Sequence, residues 1–167
     1  MVKTNIFSRF SWLITTFLIG ILLGNFYSVS ALEKPFEFIG LKSNSEIQMP
    51  KDRIKESQIK VFSDRIIIEI NDPQWAKFAN TNSMIPFLDE GANAIQISPE
   101  SENDLQVGDI ISYKSSYVEG IVIHRIKEIG SDSEGIYFIA KGDNNLSNDP
   151  EKIRFNQIER VLVGIIY

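Results

Sequence analysis

Ile121-Val122-Ile123-His124-Arg125-Ile126-Lys127-Glu128-Ile129 is the longest strand-like run in the chain. β-Branched residues dominate it, and a pleated strand sends successive side chains to opposite faces. Val122, His124 and Ile126 therefore share one face, and Ile123, Arg125 and Lys127 the other. Shorter runs of the same kind recur at 94–97, 109–113, 136–140 and 161–166. Turn formers separate them: Asn103-Asp104, Gly130-Ser131-Asp132 and the stretch 144–150. Successive short strands with few helices predict a mainly β fold, a sandwich or barrel-like packing of antiparallel sheets. There is no internal repeat and no low-complexity stretch.

Upstream of this unit the pattern is less regular. Residues 32–50 mix Gly, Ser, Asn and Lys and read as a linker with one short strand near 36–38. A short helix is expected over 51–58. Residues 59–62 and 65–70 read as two strands around Ser63-Asp64. Asp72-Pro73 has the form of a helix start, with Asp as cap and Pro at the first position. That helix would place Trp75 and Phe78 on one face.

The chain has 167 residues, enough for one domain of ordinary size and a small appendage. It contains no cysteine, so disulfides, thiolate metal sites and a cysteine nucleophile are excluded. Lys3 and Arg9 contribute +2 within residues 1–32, which hold no acid; the overall net charge of −5 therefore leaves −7 on the rest. Nucleic-acid binding depends on Lys and Arg neutralising phosphates, so an acidic domain makes nucleic acid an unexpected partner.

Residues 10–32 carry no charge, with Arg9 before them and Glu33 after. As a helix, 23 positions would span about 34 Å, enough to cross a hydrocarbon core of ~30 Å. The cations lie on the amino-terminal side, so the positive-inside rule leaves the carboxy-terminal bulk outside the cytoplasm. A cleaved secretory signal is the competing expectation. Its apolar core would be 12–23, with Val29-Ser30-Ala31 as the small-residue cleavage site. The expected organisation is a cytoplasmic 1–9, an anchor at 10–32, a linker with strands at 33–80 and a core at 81–167.

The core contains the ingredients of nucleophilic catalysis. A serine needs a base, and a base working near neutrality needs an orienting group. Ser83-Met84-Ile85-Pro86 is followed by His124-Arg125, then by Lys141-Gly142-Asp143-Asn144-Asn145 and Asp149. His124 is the single histidine of the chain. Its ordinary pKa of ~6.5 suits a proton carrier. Asp143 and Asp149 are both candidates for its partner. Lys141 is a rival base, which would need strong desolvation to titrate near neutrality.

These motifs resemble the type I signal peptidases, in the archaeal and endoplasmic-reticulum branch that uses Ser and His. The resemblance covers residues 81–167 and the layout of an amino-terminal membrane segment. The Ser-Met-x-Pro box is matched by Ser83, Met84 and Pro86. A Gly-Asp turn is matched by Gly108-Asp109, the His-Arg box by His124-Arg125, and the last box by 141–145. An aspartate six residues beyond Asp143 is the family's third triad member, and that position is Asp149. The chain departs from the family at Gly91-Ala92-Asn93, where Gly-Asp is frequent.

The resemblance implies a coiled antiparallel β-sheet catalytic domain behind one transmembrane helix. It implies a serine endopeptidase that cuts signal peptides from preproteins as they leave the translocon. Ser83 would be the nucleophile, His124 the base and Asp149 its orienter. Asp143 would organise the loop, and the Thr81 hydroxyl and the Ser83 N–H would receive the oxyanion. No metal or organic cofactor is implied. Trp75 and Phe78 would be core residues or part of an apolar surface resting on the lipid bilayer. The alternatives are a self-cleaving, repressor-like Ser/Lys peptidase of the same fold and an anchored β module without turnover.

Overall fold

Runs rich in isoleucine and valine, interrupted by turn formers, lead to antiparallel pairing throughout. The computed structural model describes Thr16, Phe17, Ile19 and residues 48–167. Among these residues no helix is long and apolar enough to cross a membrane. The expected anchor at 10–32 lies outside the described residues except for Thr16, Phe17 and Ile19, which are helical. The strand expected near 36–38 lies outside them as well. The described residues fall into two units. Ser57–Ile68 belongs to the first with the three helical positions, and residues 48–56 belong to the second with Glu69–Tyr167.

In the first unit β1 (Ile59–Val61) pairs antiparallel with β2 (Ile66–Ile68), Ile59 opposite Ile68 and Val61 opposite Ile66. The turn closes through a Phe62 N–H donated to the Arg65 carbonyl at 2.8 Å. This is the hairpin expected around Ser63-Asp64. All three isoleucines of β2 are exposed.

The second unit is built on one six-stranded antiparallel sheet. Its strands are β3 (Gln74–Lys77), β4 (Asn93–Ile97), β5 (Ile110–Lys114), β6 (Ile121–Asp132), β7 (Gly135–Lys141) and β8 (Ile158–Ile166). Their spatial order is β3-β4-β8-β5-β6-β7. Register shifts interrupt the β4–β8, β5–β8 and β6–β7 ladders. Such bulges bend a strand and increase its twist, which is how one sheet supports two cores. Ile111, Tyr113, Ile126, Phe138, Ile153 and Val161 pack together in one cluster. Met84, Leu88, Ala94, Ile110 and Leu162 form the other. Adjacent residues Ile110 and Ile111 thus serve different cores, as do Val161 and Leu162, which is the period of two expressed in packing.

Two local expectations are corrected. The segment after Asp72-Pro73 is strand β3, not a helix. Asp72 has φ +46°, outside the extended backbone that an N-cap requires. Pro73 then precedes an edge strand, where its missing N–H costs no ladder bond. Trp75 and Phe78 accordingly differ in setting. Trp75 is exposed and donates its indole N–H to Asn93 at 3.1 Å, whereas Phe78 packs on the second core. The helix expected over 51–58 is reduced to a 3₁₀ turn at Glu56–Gln58. Tertiary bonds override propensity there: the Lys51 N–H and the Arg53 guanidinium both donate to the buried Asp109 carboxylate, at 2.8 and 2.5 Å.

The tip of the β6–β7 hairpin is held by charge. Asp132 accepts from Lys152 at 2.7 Å and from Arg154 at 2.9 Å. The Lys152 bond above all, with the Glu134 N–H and Arg154, lowers the Asp132 carboxyl to about 2. An unfolded aspartate titrates near ~3.9, so the unfolded chain takes up protons first as the pH falls. The stabilisation is complete above about pH 4 and is lost toward pH 2. Amide protection at residues 130–135, taken relative to the intrinsic exchange rate at each pH, is expected to fall across that window, and Asp132→Asn should remove that fall while leaving protection in β5 unchanged.

Candidate active site

Ser83 is placed by the residues on either side of it. Asn82 has φ +59°, a left-handed conformation that asparagine tolerates better than most residues. Met84, 2 % exposed, is inserted into the second core. The Phe87 and Leu88 N–H groups both donate to its carbonyl at 3.0 Å, closing a turn behind the serine. The hydroxyl therefore stands on a kink whose next residue is anchored in the core.

A second loop clamps this segment from the side. The Asn144 N–H donates to the Ser83 carbonyl at 2.9 Å, and the Asn144 side-chain amide donates to the Asn82 carbonyl at 2.9 Å. Gly142 lies so close that a Cβ there would sit 2.6 Å from the Ser83 carbonyl oxygen. Only glycine permits that approach. The loop is tied to β6 by Arg125, whose Nε and Nη2 donate to the two Asp143 oxygens at 2.8 and 2.7 Å. Arg125 Nη1 also donates to the Gly108 carbonyl at 2.8 Å. Gly108, at φ +102°, has its own reason to be glycine, since a Cβ would meet the Met49 carbonyl oxygen at 2.5 Å. The Gly108-Asp109 turn and the His124-Arg125 pair are thus one structural assembly.

His124 sits in β6 opposite Ile111 of β5, 8 % exposed. Its Nδ1 lies 2.9 and 2.8 Å from the two carboxylate oxygens of Asp149. A carboxylate at Nδ1 fixes the tautomer that carries its proton there, leaving the Nε2 lone pair as the acceptor. Asp149 is held in turn: its N–H donates to the Ala140 carbonyl at 2.8 Å, and the Tyr113 hydroxyl donates to its Oδ2 at 2.8 Å. Of the two candidate aspartates, Asp149 contacts the imidazole and Asp143 contacts Arg125.

Ser83, Thr81 and His124 line one cavity of about 680 Å³, with Phe78, Leu88 and Ile123 among its apolar walls. Thr81 Oγ1 and Ser83 Oγ are 3.2 Å apart. Among the described residues no hydrogen bond joins Ser83 Oγ to His124. In ligand-free enzymes such bonds are often long and tighten when substrate arrives. Lys141 is the cross-strand neighbour of Arg125 and is not one of the residues lining the cavity. Tyr113 has no sequence signal as a neighbour of this assembly, and Arg125, half of the His-Arg box and on the strand face opposite His124, reveals its bond to Asp143 only in the fold. Among the described residues no group of three or more His, Asp or Glu side chains is arranged to hold a metal ion.

No family model matches the chain, and neither the curated proteins nor the solved structures contain a significant match to it.

Proposed function

We propose that this chain is a membrane-anchored serine endopeptidase that removes signal peptides from exported preproteins. One observation carries the proposal: the single histidine, bonded through Nδ1 to Asp149, lines the same cavity as Ser83. Ser83 Oγ attacks the scissile carbonyl while His124 Nε2 takes its proton, and the Ser83 N–H and Thr81 hydroxyl receive the developing oxyanion. The imidazolium, stabilised by Asp149, returns the proton to the leaving amine. Water then repeats the sequence on the acyl-enzyme, its proton passing through His124 back to Ser83. Apolar cavity walls suit the small residues that precede such cleavage sites. Residues 10–32 would hold the enzyme beside its membrane-inserted substrate, raising the effective concentration without a new contact. The catalytic domain then lies outside the cytoplasm.

A Ser/Lys mechanism is disfavoured by Lys141, which does not line the cavity. A β module without turnover is favoured by one contact, that of Ser83 Oγ with Thr81. Incubating the purified chain in detergent with a model preprotein separates these readings. Cleavage at the signal junction, absent in Ser83→Ala, is the expected result. Intact preprotein with both proteins would leave the non-catalytic module standing.

A further inference from the structure

Tyr113 is 1 % exposed, in the middle of β5 and within the first hydrophobic core. A buried phenol must find a hydrogen-bond partner, and this one donates to Asp149 Oδ2 at 2.8 Å, the same oxygen that lies 2.8 Å from His124 Nδ1. Burial first, then the bond to Asp149 and the charges of Asp149 and Glu151, push the phenol well above the ordinary tyrosine range. Tyr113 therefore stays protonated, and remains a donor, beyond the pH at which an ordinary tyrosine ionises. A carboxylate that already accepts a bond from a neighbour holds less charge for the imidazole. It is also unable to rotate away, because its second partner comes from a rigid strand.

We propose that Tyr113 is a positioning residue for the Ser83 site, its hydroxyl fixing the Asp149 carboxylate and sharing its charge, so that the imidazole is held through Nδ1 against a carboxylate that cannot turn away. Its catalytic meaning rests on the reading of His124 as the base for Ser83, but its action on the imidazole does not. His124 is bonded to Asp149 from the loop after β7, which also accepts from Tyr113 of β5, and among the described residues it lines the cavity with Ser83 and Thr81. Farther around the cavity wall are Lys77, Asp89, Glu159 and Arg160. Glu159 is paired with Lys114 and Arg160 with Asp72, both at 2.7 Å.

The single histidine makes the test direct, because its ring signals in a nuclear magnetic resonance titration need no assignment. Tyr113→Phe keeps the ring in the core and removes only the donor. The His124 midpoint is expected to rise by about 0.5–1 pH unit, since an unshared carboxylate stabilises the imidazolium more strongly. In the Asp149→Asn background the same substitution should leave the midpoint unchanged. Uniform 3-fluorotyrosine labelling tests the claim without altering the sequence. All five tyrosines change, but among the described residues Tyr113 is the one bonded to Asp149, and its more acidic phenol should lower the midpoint.

With a preprotein substrate, Tyr113→Phe should lower kcat about three- to tenfold at pH 7 with KM unaltered, and move the acid limb of the rate profile upward with the His124 midpoint. A His124 midpoint that is the same in Tyr113→Phe and wild type, or that moves equally when Asp149 is Asn, would overturn the role of Tyr113. A shifted midpoint in a protein that cleaves no preprotein would instead sink the peptidase reading and leave Tyr113's action on His124 in place.

Discussion

Replacing Ser83 or His124 by Ala is expected to slow preprotein processing by about three to six orders of magnitude, and replacing both should cost no more than either alone. In the proposed mechanism the two act as one unit, since neither the hydroxyl nor the imidazole would have work to do once the other is absent. Asp149→Asn should cost less than either, because the base survives with a weakened hold on its tautomer. Asp143→Glu should cost least of all, since Asp143 meets Arg125 and not the imidazole. Single-turnover rates on a model preprotein measure the series. Near-wild-type turnover in His124→Ala, together with loss in Lys141→Ala, would transfer the role of base to the lysine.

A large effect on stability is expected at Arg125. Its side chain is 6 % exposed and that of Asp143 12 %, and two near-parallel bonds join them. Arg125→Met fills much of the same volume and leaves the Asp143 carboxylate buried without its cation. Breaking one side of such a pair costs about 3–5 kcal/mol, a large part of the ~5–15 kcal/mol that holds an ordinary domain. The Gly108 carbonyl also loses a donor, and the loop that clamps Ser83 loses its tie to β6. The urea midpoint should therefore fall steeply, and the fraction still folded should process preprotein slowly. A loss below about 1 kcal/mol would mean that water replaces the guanidinium, as at an exposed pair.

The strands of the sheet were legible because their hydrophobic pattern is local. β5, β6 and β7 follow from alternation and from the turn residues between them, and their observed bounds differ from the expected ones by a few positions. β3 was not legible. Asp72-Pro73 is as good an introduction to an edge strand as to a helix, and what decides between them is pairing with β4, 16 or more residues further along. Residues 51–54 fail as a helix for the same reason, held by tertiary bonds to Asp104 and Asp109. At the site, Ser83, His124 and the two aspartates could be nominated from residue type and spacing. Spacing alone left both aspartates eligible, because the arginine that takes Asp143 is 18 positions away. Tyr113 gave no signal at all: a tyrosine in an apolar strand reads as core, and its partner lies 36 residues downstream.

If His124 activates Ser83 as a nucleophile, the serine hydroxyl can be trapped covalently. The purified full-length chain in detergent is treated with a serine-acylating or phosphonylating probe, and the adduct is located by mass spectrometry as a function of time. One adduct per chain is expected, on Ser83, absent in Ser83→Ala and formed at least about a hundredfold more slowly in His124→Ala. No adduct, or one on Ser83 whose rate is the same with and without the imidazole, would contradict that activation.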